Sequence, residues 1–70
     1  MRDSRFKEIE VGQIVHFGLR YDQWNGEVVE VSHEEEQIVV KKKIPYYDDE
    51  YKYETFNRIA CSNYITIIKD

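Results

Sequence analysis

Residues 25–43, NGEVVEVSHEEEQIVVKKK, constrain the fold more than any other stretch of the chain. Residues 26–31 and Gln37–Lys43 are short runs rich in valine and isoleucine, whose side chains are already restricted at χ1 and suit a pleated surface. Between them SHEEE is polar enough for a solvated connection, so the pair reads as a hairpin. A helix through EEEQIVVKKK would place its acids and lysines well for the helix dipole, but the Ile-Val-Val centre lacks a three-to-four apolar repeat. An isolated hairpin is unstable in water, so the flanking segments must supply further strands.

They have the pattern to do so. Residues 1–8 show no periodicity and are expected as a loosely ordered lead-in to a single domain over residues 9–70. Gly12-Gln13 turns into a first strand over residues 14–18, in which Val15 and Phe17 point to one side and are the candidate core. Residues 19–25 are expected as a loop carrying Arg20, Tyr21 and Trp24, ending in the tight-turn dipeptide Asn25-Gly26. In the second strand Val29 and Val31 share a face in a regular ladder, whereas Val28 and Val31 share one if a bulge intervenes. The third strand sets Ile38 and Val40 against Val39, Lys41 and Lys43, which makes its far end basic on one side. Pro45 ends ladder bonding and YYDDE connects onward. Tyr51–Asn57 alternates as a fourth strand, residues 58–63 form a short irregular turn, and residues 64–68 close as a fifth with Ile65 and Ile67 on one face. Five short strands with polar turns predict an all-β, five-stranded antiparallel barrel, since closing on itself hides both the core and the edges of so small a sheet.

Composition narrows the function classes. Seventy residues make one domain. A chain of this size buries only roughly 60% of its unfolded surface, so function belongs on the outside and not in a deep cavity. Fourteen acidic residues against ten basic ones give a net charge of -4, the opposite of the usual nucleic-acid module. The lone Cys61 excludes an intrachain disulfide and points to a reducing compartment. The charged start MRDSRFKEIE lacks the apolar core of a signal peptide, and no apolar run is long enough for a bilayer, so a cytoplasmic location is expected.

Two local patterns resemble known families. The stretch V-G-Q-I-V-H-F, then Gly26-x-Val28-x-x-Val31 and Ile38-Val39-Val40, resembles the opening of KOW-type and related Src-homology-3-like barrels. Ile59-Ala60-Cys61-Ser62-Asn63-Tyr64-Ile65 looks like the short turn and last strand of Src-homology-3 domains, with Cys61 standing where their Pro-Ser-Asn-Tyr-Val pattern has proline. The Ala-Leu-Tyr-Asp-Tyr signature and the paired tryptophan are absent, so the resemblance implies the barrel and not a proline-rich-peptide site. From Val11 to Ile68 the chain is also similar to the YkvS-like family of small uncharacterised bacterial proteins. The matching residues are the V-G-x-I opening, the G-x-V-x-x-V strand, and Thr55, Asn57, Asn63, Tyr64 and Ile65 or Ile67 at the end. That resemblance implies a barrel and no activity.

The candidate sites are surfaces. Tyr21, Trp24, Tyr46 and Tyr47 stand between packing and binding, while Tyr51, Tyr53 and Tyr64 are expected to cover the barrel ends. A non-enzymatic module that binds another protein would use Tyr21 and Trp24, the acidic turn with Tyr47, Asp48 and Asp49, and Asn63 with Tyr64. The alternatives are a KOW-like RNA or DNA binder using Arg20, Lys41, Lys42 and Lys43 with stacking aromatics, and an acidic mimic of nucleic acid. Nothing in the local sequence brings Cys61 together with His16 or His33, and these three are too scattered for zinc, so no catalytic, cofactor or metal residue is assigned. No role is expected at a membrane.

Overall fold

A computed structural model describes residues 1–43 and 50–70. Its elements are β1 (Ile14–Leu19), β2 (Asp22–Ser32), β3 (Gln37–Lys43), β4 (Tyr51–Asn57), the short helix α1 (Arg58–Tyr64) and β5 (Ile65–Lys69). The strands form one open antiparallel sheet in the order β4-β3-β2-β1-β5, with β4 and β5 at its edges. Alternation decides what is buried. Val15 and Phe17, Val28, Ile38 and Val40, and Ile65 and Ile67 line the inner face and are buried together with Ile9 and Cys61. Among the described residues no helix is long and apolar enough to cross a membrane.

The sheet is strongly curled, and a distance shows it. In a flat sheet β1 and β4 would lie three strand spacings apart, about 14 Å at roughly 4.8 Å each. The rings of Phe17 on β1 and Phe56 on β4 nevertheless stack with centroids 5.3 Å apart. Two features of β2 allow the curl. Opposite Lys42, a side chain at Gly26 would put its Cβ 2.5 Å from Val40 Cγ1 and 2.8 Å from the Lys41 carbonyl, so only glycine leaves room there. Just beyond, the register with β3 slips between Val28 and Glu30, a bulge that bends the strand and increases its twist. The bulge resolves the register left open by sequence. Val28 faces Val40, and Val31 returns to the inner face opposite Ile38.

Three local expectations are corrected. The chain reverses between β1 and β2 at Arg20-Tyr21, with Leu19 opposite Asp22, so the expected loop over residues 19–25 is a tight hairpin and Asn25-Gly26 lies within β2. Arg20 takes the left-handed conformation, with φ of 47°, that the turn requires. The irregular segment before the last strand is α1, whose N-cap Asn57 accepts the Ala60 N–H at 2.8 Å. Tyr64, expected in the last strand, ends that helix, and its only buried residue is Cys61.

The third difference concerns residues 1–8, where a loose lead-in was expected. They form a hydrogen-bonded loop against β5. Asp3 is fully buried and its carboxylate accepts backbone N–H groups from Arg5 and Lys7 at 2.9 Å each and from Ile67 at 2.8 Å. The Ser4 N–H donates to the Ile65 carbonyl at 2.8 Å, and the Arg5 guanidinium donates to that of Ile67. Burial alone raises the pKa of Asp3. The three donors and the Arg5 charge outweigh it, so the net shift is downward from 3.8.

Two predictions follow from these contacts. Gly26→Ala should lower unfolding stability by about 1–3 kcal/mol in urea titration, because the nearest neighbours include backbone that cannot swing aside. A lowered carboxylate pKa stabilises the fold fully above the ordinary value and loses that contribution as pH falls through the lowered one. The natural chain should therefore lose stability below pH 3.8. Asp3→Asn should be less stable at neutral pH, by about 1–3 kcal/mol, and show a flatter acid limb.

Candidate functional site

The inner face ends in an aromatic cluster built from three strands and the helix. Phe17, nearly buried, forms its floor. Trp24 stacks on it with centroids 5.1 Å apart, Phe56 stacks at 5.3 Å, and Tyr64 tilts against it at 5.9 Å. Trp24 and Phe56 are themselves 5.9 Å apart. Each position has a local cause: Trp24 lies opposite Phe17 across the β1–β2 hairpin, the curl brings Phe56 over from β4, and α1 carries Tyr64 back toward β1. Trp24 and Phe56 are half-buried and Tyr64 is exposed, so the cluster presents its upper side to solvent. Offset and tilted ring pairs of this kind hold large, stiff, amphipathic area in place.

Charged groups border it unevenly. The Lys42 ammonium lies 4.7 Å from the centre of the Trp24 ring, and Lys52 pairs with Glu54 at 3.4 Å on the same face of β4. Lys41 points to the other face of the sheet, with its ammonium 4.0 Å over the Tyr51 ring. Lys41 is thus on the face opposite Val40 and Ile38, as the alternation predicts, and Lys42 is on the other; Lys43 is the last residue of β3. Arg20 is exposed at the hairpin turn.

The proposed protein-binding residues are brought together in part. Trp24 belongs to the cluster and to a strand, not to a loop, and Tyr64 joins it, with Asn63 exposed beside it on α1. Tyr21 is fully exposed at the hairpin turn. Tyr46, Tyr47, Asp48 and Asp49 lie outside the described residues. Tyr51 and Tyr53, expected to cover a barrel end, are exposed on the outer face, because β4 turns Lys52, Glu54 and Phe56 inward. Phe56 is the site residue that sequence reasoning missed; its alternation with Glu54 was legible, but its contact with Phe17 depends on the curl.

The reactive side chains do not converge. His16 on the outer face hydrogen-bonds Asn25 Oδ1 at 2.8 Å, His33 is exposed in the β2–β3 turn, and Cys61 is buried on the inner side of α1. Burial pushes the Cys61 thiol up to about 11, so it remains protonated at neutral pH. Among the described residues no group of three His, Cys, Asp or Glu side chains is placed to hold a metal ion. An open groove of about 510 Å³ lies elsewhere, between the amino-terminal loop and α1, lined by Arg2, Glu8, Arg58 and Ile59 among others.

The geometry defines a small β-sheet protein with an aromatic surface and no convergent reactive set among the described residues. No protein-family model, curated protein or solved structure matches the chain.

Trp24 is the only tryptophan and reports directly on the cluster. Phe17→Ala should red-shift its emission as the floor is lost, and should cost about 3–5 kcal/mol in chemical unfolding.

Proposed function

We propose that the chain is a non-enzymatic binding module of the Src-homology-3-like, KOW-like barrel type, and that it meets another protein on the aromatic face formed by Trp24, Phe56 and Tyr64. The observation that carries this reading is the half-exposed cluster on its Phe17 floor. Stiff aromatic area beside satisfied polar groups is the composition of interface anchors. The curled five-stranded sheet and the short helix carrying Ser62-Asn63-Tyr64 before β5 support the barrel assignment. The YkvS-like family is proposed on the resemblance of residues 11–68. Tyr21 and Asn63, and the acidic residues Asp48 and Asp49 with Tyr47, are proposed to contribute to the same partner.

Protein is favoured over RNA or DNA by the placement of the lysines. Lys41 and Lys42 sit on opposite faces, each over a ring of its own chain, so they do not form a continuous stripe along which a phosphate backbone would run. The net charge of -4 acts in the same direction.

Affinity capture from the native cell, with and without nuclease, tests the proposal against variants that spare the core. A defined protein partner should survive nuclease, and Tyr21→Ala combined with Tyr64→Ala should reduce its recovery by about tenfold or more while circular dichroism stays unchanged. Recovery that ignores both substitutions, or that collapses with nuclease, would overturn it.

A further inference from the structure

The two edges of the sheet are treated differently by the chain. Along β5 the residues of the amino-terminal loop occupy the outer side: Asp3 takes the Ile67 N–H, and Ser4 and Arg5 donate to the carbonyls of Ile65 and Ile67. Along β4, among the described residues, nothing bonds to the outer side. A strand edge with free N–H and C=O groups is a template for another strand, and the devices that usually discourage this are a short strand, a proline, a bulge or a charged side chain with no partner across the edge. β4 reads YKYETFN, pairs regularly with β3, and contains neither proline nor bulge. Its two charges, Lys52 and Glu54, compensate each other at 3.4 Å.

Those charges also select a partner and a register. Antiparallel pairing of β4 with a second β4 has a twofold centre, and directly opposite like charges are destabilising. A centre at Lys52 or Glu54 sets lysine against lysine or glutamate against glutamate. A centre at Tyr53 sets Lys52 opposite Glu54 twice, Tyr51 opposite Thr55 twice, and the two Tyr53 rings against each other. Lys52 and Glu54 lie on the inner face and Tyr51, Tyr53 and Thr55 on the outer one, so this register keeps the faces of both sheets continuous.

We propose that β4 is a homodimerisation edge: two copies pair antiparallel about Tyr53, with Lys52 of each strand opposite Glu54 of its partner. β4 also carries Phe56 of the aromatic face, but the register about Tyr53 pairs only residues 51–55 and leaves Phe56 outside the paired stretch. About Tyr53 only five residues of each seven-residue strand overlap, 51–55, which is a small interface, so the dimer should form only at high micromolar protein or above.

Sedimentation velocity of the full chain up to millimolar concentration is the test. The mass should rise with concentration from 8.5 kDa toward twice that value. Lys52→Glu should weaken association about tenfold or more, and Lys52→Glu with Glu54→Lys should restore it, because the swap returns the complementary pairs. Tyr53→Cys should cross-link through the twofold centre on oxidation, where antiparallel Cα separations of about 4.5–5.5 Å suit a disulfide. A chain that stays monomeric at millimolar concentration overturns the proposal, as does a dimer that Lys52→Glu leaves intact or that the double swap does not recover.

Discussion

The closeness of β2 and β3 at Gly26 is the constraint on which the remaining structure depends. With no side chain there, Val40 and the Lys41 carbonyl come into space a Cβ would fill, and the Trp24 ring lies over the same gap. The bulge at Val29 follows within a few residues, and a bulge bends its strand and increases the twist. A sheet of this size has little core to give, and curling lets it bury one face against itself. Phe17 and Phe56 touch only because of that bend. The aromatic face is therefore a product of the backbone path and not of neighbouring residues in sequence.

Curling the sheet also leaves polar groups to satisfy. On the β5 side the buried Asp3 carboxylate accepts three backbone donors, and nearby Arg5 adds both a charge and a bond to the Ile67 carbonyl. A buried charge without such partners would be costly, so the loop over residues 1–8 holds only as a unit. Gln13 is treated similarly, accepting from the Glu10 N–H at 2.8 Å and donating to Asp70 at 3.1 Å. On the other side the lysines are drawn onto aromatic rings, which removes them from a shared basic surface.

Much of the strand pattern was legible because burial follows a period of two. Val15 with Phe17, Ile38 with Val40, and Ile65 with Ile67 alternate cleanly and are all buried. The departures have separate physical reasons. Asn25-Gly26 carries the signature of a turn, but Gly26 is needed for lateral space, while Arg20 adopts the positive φ of the real turn without a glycine to announce it. A seven-residue helix shows no 3.6-residue repeat, although Asn57 three residues before Ala60 was a readable cap. Asp3 gave no local sign of burial, since its most distant donor, Ile67, lies 64 residues along the chain. For the surface, Trp24 and Tyr64 stood out by residue type. Phe56 did not, because its role comes from a contact across three strands.

The curl and the aromatic face it creates stand or fall on one distance, that between the rings of Phe17 and Phe56. Nuclear Overhauser spectra of the free protein, with the phenylalanine ring protons assigned, measure it directly. Cross-peaks between the two rings, accompanied by peaks from each to the Trp24 indole, are the expected result at centroid separations of 5.3, 5.1 and 5.9 Å. A spectrum in which Phe17 contacts Trp24 but not Phe56 would mean a flat sheet, and would remove the surface on which the binding proposal rests.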